Sequence, residues 1–459
     1  MITVSAYNQK AVGVFGLGKA GEATIAALVA GGAKIYAWDD NDASRAAAEK
    51  SYGSRIQLLP YESWPWAELQ ALVLSPGVPL THPAPHGVVA LAHRHQRPVI
   101  GDIELLYQAQ PEARYIVITG TNGKSTTTTL IGHILKTAGM SVQVGGNLGT
   151  AALALEPLGK DGVYVIEASS YQLDLLASTH FDVAVFLNIT PDHLDRHGSM
   201  EGYIAAKMHI FDRQTKDDVA VIAVDDDYTR RIAAELSQAH LVPVSAHQPV
   251  KQGVYVEEGV LIDGKKRYDI SQIATLTGRH NWQNAAVAYS AARAVGIEPE
   301  VIYRAMQSFG GLRHRLQGVA TIRGVRFIND SKATNADATR NALDPFESIY
   351  WILGGKSKAG GIESLTSYLP KIAHAFLIGA ASDEFAQTLE GKVPYTRCGT
   401  LAVAVDKAAA MAWKDGKKDA VVLLSPACAS FDQWKSFEQR GDAFCDMVAA
   451  LEGKAKHAS

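Results

Sequence analysis

The sequence predicts an α/β protein of three domains. Three observations carry this. Strand-like apolar runs alternate with helical stretches almost from end to end, the pattern of parallel sheets covered by helices. Two glycine-rich turns, "GLGKAG" at 16–21 and "GTNGKS" at 120–125, each lie between such a run and a helical stretch. The 459 residues are enough for about three domains of ~150 residues each.

The first domain, expected over 1–102, opens with "KAVGVFGLGKAGEATIAALVAGGAKIYAWDDND". A strand leads into Gly16-x-Gly18-x-x-Gly21, then a helix, then a second strand ending at Asp39. That is the dinucleotide fingerprint of a Rossmann-like domain, with an acid 18 residues after the third glycine. A further strand ends in the turn "LSPGV", which holds Ser75 and Gly77.

The central domain, expected over 103–311, starts after "GDIELLYQAQPEARY" with "YIVITGTNGKSTTTTLI". The usual phosphate loop, G-x-x-x-x-G-K-[ST], would place a glycine at Ile118, yet here Gly120 stands inside the loop. The physics of a phosphate-loop ATPase-type domain still holds. A β-branched strand, a glycine turn and a helix start aim free N–H groups and a positive dipole end at one point. Lys124 adds charge for the outer phosphates, and the Ser125 hydroxyl suits magnesium. The bland alternative is an ordinary turn with a surface lysine. "GGNLG" follows at 145–149, and Glu167 ends the strand "VYVIE", where it reads either as a magnesium ligand or as a helix cap.

"TPDHLDRHGSMEGYIAAKMHIF" predicts a helix on which Tyr203, Lys207, Ile210 and Phe211 share one apolar face. A lysine on that stripe either snorkels to water or loses its proton on burial. The resulting neutral amine takes up carbon dioxide as a carbamate, an anion able to bind magnesium. His193 and His197 have the spacing of a zinc pair but no third soft ligand, which leaves His193 for the magnesium or substrate side and His197 for structure. Near 253–268, alternating strands with glycine turns predict a small antiparallel addition. In "GRHNWQN", the amides of Asn281 and Asn284 suit a nucleobase edge and ribose, or equally a helix cap.

The third domain, expected over 312–459, is again Rossmann-like, with "GVRFIND", "SIYWILGG", "HAFLIGA" and "AVVLLSPACAS" as successive strands. Asp330 ends the first, with Lys332 and Thr334 beyond it. "LGGKSKAGG" presents Lys356 and Lys358, and a helix is expected to start around Ser430. Lysines and free amides gathered at strand ends suit an anionic small molecule.

Composition limits the partners. The net charge is −3, with no basic stripe for nucleic acid or an anionic membrane. Cys398, Cys428 and Cys445 have no paired spacing, which argues against disulfides and zinc sites. The start lacks a basic region before an apolar run, and no stretch approaches the ~20 apolar residues of a membrane span. The chain therefore reads as soluble and cytoplasmic.

Taken in order, "TGTNGKST", "GGN", "EASSYQL", "NITPDHLDRHG", "AAKMHIF", "HNWQN", "GLRHRLQ", "NDSKATN" and "SPACASFDQWKSFEQRG" cover nearly the whole chain. Together they resemble the ATP-dependent Mur ligases of bacterial cell-wall synthesis. The early motifs are shared with relatives such as the folylpolyglutamate synthetases. The last ones look like the member that joins D-glutamate to UDP-N-acetylmuramoyl-L-alanine. The resemblance implies ADP-forming amide synthesis, in which ATP converts a carboxylate into an acyl phosphate that the amine then attacks; the chain is expected to be a monomer.

The resemblance also implies roles. Lys124 would hold the outer phosphates within a loop of Gly120, Thr121, Asn122, Gly123, Ser125 and Thr126. Two magnesium ions would be served by Ser125 and Glu167, and by His193 with a carbamylated Lys207; Lys124, His193 and Lys207 form the catalytic set. Adenosine would meet Asn281, Asn284, Arg315 and Asp330. The UDP substrate would meet Gly16, Gly18, Lys19, Ala20, Asp39, Ser75, Gly77 and Asn147. D-Glutamate would meet Lys332, Thr334, Lys358, Ser430 and Phe437. A hydroxyl residue and then a basic one are implied after the position of Asp39, where this chain has Asp40 and Asn41.

Three rival readings differ in testable ways. The first glycine turn alone suits a nicotinamide-dependent oxidoreductase, but that leaves the second loop, Lys207 and the third domain unused. A related ligase using another amino acid or folate differs in its amino-acid-dependent ADP release. A non-enzymatic nucleotide-gated scaffold would have no need of so many polar groups at strand ends.

Overall fold

In the computed structural model the described residues are 1–357 and 360–457, and the chain divides into two compact bodies, 1–309 and 310–459. The first body holds two sheets. Across the smaller one lie Gln57–Leu58, Lys34–Trp38, Ala11–Phe15, Leu69–Leu74 and Val99–Ile100, all parallel. Strand order reverses beside Ala11–Phe15, so the turns after it and after Leu69–Leu74 open a crevice at the carboxyl ends. Every residue of Ala11–Phe15 is buried, as a parallel strand covered on both faces requires.

The larger sheet has nine strands. Ser141–Gly146, Gly162–Glu167, Arg114–Thr119, Val183–Phe186, Val219–Ala223 and His240–Ser245 run parallel. Val254–Glu257, Val260–Asp263 and Lys266–Asp269 then extend the sheet as an antiparallel meander, the addition expected from the sequence. Order reverses around Arg114–Thr119, which places the phosphate loop at the switch point.

The two sheets belong to one body because they share a core. Val12 and Ile35 of the smaller sheet and Tyr115 and Tyr164 of the larger lie in one buried cluster. The chain start joins them further, with Ile2 N donating to Leu153 O at 3.2 Å.

The second body is one six-stranded sheet: Gln317–Ile322, Val325–Asn329, Val421–Leu424, Ile349–Gly354, Ile372–Ile378 and Tyr395–Gly399. All pairs are parallel except the edge hairpin Gln317–Ile322 with Val325–Asn329. Val421–Leu424 is central, so the turns after Asn329, Leu424 and Gly354 meet at one end.

One expected helix start moves. The helix placed around Ser430 begins at Phe437, and Ser430 O instead closes turns from Gln433 N and Trp434 N. The cap decides it: Ser436 Oγ accepts from Gln439 N at 3.3 Å, starting the helix after residue 436. No helix among the described residues is long and apolar enough to cross a membrane.

Candidate active site

The shortened phosphate loop has a simple cause. The strand before it runs through Thr119, so Ile118 is a buried sheet residue and the turn is left to Gly120 at φ +143°. A Cβ on Gly120 would stand 2.9 Å from Leu187 Cβ, so the loop passes too close to the neighbouring strand for any other residue. Asn188 then holds the loop on both sides, its backbone O accepting from Thr121 N and its Oδ1 from Asn122 N. Lys124 opens the helix Lys124–Thr137, and its Nζ donates to Gly120 O and Thr121 O. Ser125 and Thr126 follow in the first helical turn.

Asn281 and Asn284 lie in the first turns of Arg279–Ala294, where Gly278 is the cap position. Their amides are linked, Asn284 Nδ2 donating to Asn281 Oδ1 at 3.3 Å. Asn284 presses on the loop: a Cβ on Gly123 would meet its Oδ1 at 2.4 Å.

Glu167 ends its strand beside the loop and is buried. Asn147 holds one oxygen, Nδ2 donating to Oε1 at 2.8 Å, while Oε2 is buried without a hydrogen-bond partner. The cap of the following helix is Ser169, in a capping box with Gln172, so Glu167 is not needed there. An orphaned, buried carboxylate oxygen is a hard donor, and with a hydroxyl such as that of Ser125 it is the oxygen chemistry that suits magnesium.

Lys207 lies in the helix Met200–Met208, which tightens into a short turn at His209–Phe211. Tyr203, Lys207, Ile210 and Phe211 are all buried, so the lysine does not snorkel. Its Nζ donates to Gly120 O at 3.0 Å and Thr119 Oγ1 at 3.3 Å and lies 4.8 Å from the Tyr203 ring. Burial, then the charge of Lys124, pushes its pKa down to about 7.

His193 is exposed and takes a left-handed conformation, φ +53°, at the start of Leu194–His197. Its ring packs 5.1 Å from Tyr171. His197 is buried, with Nε2 on Ser170 Oγ at 2.9 Å and its ring stacked on Tyr171, and burial drives its pKa to about 4. It is therefore a neutral packing residue at ordinary pH.

The crevice of the smaller sheet gathers the residues expected to meet the UDP substrate. Gly16 takes φ +91°, and its O accepts from Ser75 Oγ at 2.8 Å. Asp39 braces the same turn, accepting Leu17 N at 2.5 Å and Asn41 N at 2.8 Å. Space over Gly18 is open, Ala20 follows in the helix, and Lys19 Nζ donates to Gly149 O beside Asn147. Two arginines that sequence reasoning passed over reach this crevice. Arg45 lies 4.3 Å over the Trp38 ring with Nη1 on Asp39 O, and Arg196 Nη1 donates to Gly77 O at 3.0 Å. Arg45 supplies a positive charge that Asp40 and Asn41 do not, and Asp40 pairs with His86 at 3.1 Å.

The second body carries the remaining residues. Arg315 is exposed, while Asp330 is buried, accepting from Leu316 N at 3.1 Å and Ser425 Oγ at 2.8 Å. Burial lifts the Asp330 pKa to about 7. Lys332 Nζ lies 5.7 Å over the Phe437 ring, Thr334 is one turn further, and Ser430 is buried beside the bridge between Lys356 and Ala429. Lys358 lies outside the described residues. The adenosine set is divided, with Asn281 and Asn284 in the first body and Arg315 and Asp330 in the second.

Among the described residues one cluster of His and Asp side chains, His180, Asp182 and Asp218, has metal-ligand proximity. It is internally satisfied: Asp218 Oδ2 accepts from His180 and Thr215, and Asp182 Oδ2 from Tyr115 N.

Comparison with known proteins gives the family. Residues 118–292 match the Mur ligase middle domain and 314–428 the Mur ligase glutamate ligase domain. A UDP-N-acetylmuramoylalanine–D-glutamate ligase of Paramagnetospirillum magneticum is 50% identical, over 98% of this chain and 99% of its own. The fold is similar to that of UDP-N-acetylmuramate-alanine ligase MurC from Thermotoga maritima, with TM-score 0.57, 16% identity, and 96% and 99% of the two chains covered. It is also similar to MurF from Acinetobacter baumannii, with TM-score 0.58, 17% identity, and 87% and 88% covered. The chain belongs to the Mur ligase family, within its group of UDP-N-acetylmuramoylalanine–D-glutamate ligases.

Proposed function

We propose that this chain joins D-glutamate to UDP-N-acetylmuramoyl-L-alanine with release of ADP and phosphate, as a monomer in the cytoplasm, in peptidoglycan precursor synthesis. The observation that carries the reading is the set of groups around one short loop: a phosphate-loop lysine, an orphaned buried carboxylate and a buried lysine of depressed pKa. The domain limits we propose are 1–102 for the UDP substrate, 103–311 for ATP, and 312–459 for D-glutamate and part of ATP.

The chemistry follows from leaving groups. Hydroxide is a poor leaving group, so the substrate carboxylate first attacks the terminal phosphorus of ATP, forming an acyl phosphate and ADP. The amine of D-glutamate then attacks the acyl carbon. The tetrahedral intermediate expels orthophosphate, the nitrogen loses a proton, and the amide remains. Lys124 and the loop N–H groups of 120–126 bind and orient the phosphates.

Magnesium, held by Ser125 and Glu167 and by His193 with Lys207, would neutralise charge gathered in phosphoryl transfer. Lys207 is suited to carbamylation: its neutral Nζ bonds the carbon of carbon dioxide and releases a proton, turning a cationic position into an anionic one. Asn281, Asn284, Arg315 and Asp330 would hold adenosine; Lys332, Thr334, Lys358, Ser430 and Phe437, D-glutamate; and Gly16, Gly18, Lys19, Ala20, Asp39, Ser75, Gly77 and Asn147, the UDP substrate.

The test is ADP release with UDP-N-acetylmuramoyl-L-alanine and a panel of D- and L-amino acids, using oxygen-18 in the acceptor carboxylate. Label in the released orthophosphate, dependent on D-glutamate, is the expected result. Unlabelled phosphate, or preference for another amino acid, would overturn it. Lys207→Ala should lose most activity and regain part of it with short carboxylates.

A further inference from the structure

Arg440 is a buried charge in the second body to which the reaction above gives no role. It lies in the first turn of Phe437–His457 and is fully buried. Helical side chains lean toward the N-terminus, so its guanidinium reaches back beneath the strand-end turns. Nε donates to Ser331 Oγ at 3.0 Å, and Nη2 to Ser331 O at 2.8 Å and Cys428 O at 3.1 Å. Ser331 Oγ in turn donates a hydrogen bond to Phe437 O at 2.8 Å. Nη1 is buried without a hydrogen-bond partner, against Gly355, where an added Cβ would stand 3.3 Å from it and 2.4 Å from Ala429 O.

One planar group thus hydrogen-bonds two turns and abuts a third with its unbonded Nη1. Ser331 precedes Lys332, Cys428 lies two residues before Ser430, and Gly355 precedes Lys356, which is bridged to Ala429. Stability alone does not call for this residue. A buried guanidinium with an unmet donor is costly, and an apolar side chain of similar volume often serves as well or better. What the guanidinium adds is a rigid fork that fixes distances between its acceptors, which neither methionine nor the flexible ammonium of lysine can do.

We propose that Arg440 is a positioning residue that sets the spacing of the three turns gripping the amino-acid substrate. This rests on the D-glutamate reading of those turns.

The experiment compares Arg440→Met, Arg440→Lys and Ser331→Ala with the unaltered chain, measuring KM for each of the three substrates, thermal unfolding and amide hydrogen exchange. In both Arg440 variants KM for D-glutamate should rise at least tenfold, with KM for ATP and the UDP substrate changed less than twofold. Exchange at 331–334 and 427–431 should quicken at least tenfold, with the later turns of the 437–457 helix unchanged. Ser331→Ala, which leaves the guanidinium in place, should raise KM for D-glutamate about threefold and keeps the claim testable should the Arg440 variants not fold. Equal changes in all three KM values, or a lowered Tm with unchanged KM for D-glutamate, would overturn it. If the unaltered chain shows no D-glutamate-dependent ADP release, the functional reading fails by itself, and the exchange readout still decides the spacing.

Discussion

Lys124 and Lys207 converge on a single acceptor: both Nζ atoms donate to Gly120 O, at 2.9 and 3.0 Å. Two ammonium groups around one carbonyl repel, and Lys207 is the more buried of the two. Burial first and Lys124 second therefore bring its pKa to about 7, against the opposing pull of Asp192 and Glu167. Below that value the amine keeps its proton and has no lone pair to offer. Carbon-13 NMR with labelled bicarbonate should then show a strong carbamate resonance at about pH 8, a weak one at about pH 6, and none in Lys207→Ala. Equal signals at both pH values would contradict the assignment.

Glu104 stabilises the first body through six donors. It is fully buried and accepts from the N–H groups of Ala177, Ser178 and Thr179, from the hydroxyls of Ser178 and Thr179, and from Gln108 Nε2. Burial alone would raise its pKa, but the hydrogen bonds outweigh it and bring the value down to about 2. A depressed acid contributes stability that is present above its unfolded value of 4.5 and lost as pH falls toward about 2. Glu104→Gln turns an NH₂ toward these donors and should lower unfolding stability by about 2–4 kcal/mol near neutral pH. Chemical denaturation across the acid range should also show a flatter pH dependence in the variant.

What the sequence reveals of this site divides by range. Gly120, Gly123, Lys124 and Ser125 are legible because their chemistry is local, a turn between a strand and a helix. Lys207 is legible as a break in an apolar stripe. Arg45, Arg196 and Arg440 are not, because each acts on a backbone carbonyl whose position the fold alone decides. The same holds for the shared core of the first two sheets, where Ile2 meets Leu153. The helix start misplaced to Ser430 reflects two competing serines; Ser436 makes the capping bond and wins.

Asp330 should show the opposite pH behaviour to Glu104. Its carboxyl, raised by burial from 3.8 to about 7, is protonated in the folded chain over a range where the unfolded chain has lost its proton. The associated stability is complete below 3.8 and is lost as pH rises through about 7. Asp330→Asn retains a carbonyl for Leu316 N and offers an N–H to Ser425 Oγ. It should raise Tm by ~2–6 °C at about pH 8 and leave it unchanged at about pH 4. KM for ATP should rise in the same variant, as its proposed adenosine role requires.

Glu167 tests the metal assignment apart from the chemistry. Its Oε1 is held by Asn147 while Oε2 is buried with no hydrogen-bond partner, an arrangement that burdens folding unless a cation completes it. Glu167→Gln keeps the carbonyl for Asn147 Nδ2 and replaces the orphaned oxygen with a neutral amide. Without metal, the variant should therefore unfold at the same temperature as the parent or slightly above it. With metal, the magnesium concentration for half-maximal ADP release should rise roughly 10–100-fold. Titration with manganese, followed by paramagnetic resonance, should show the same loss of affinity in the absence of turnover. An unchanged metal requirement together with a lower Tm would assign Glu167 to structure and move the magnesium site elsewhere.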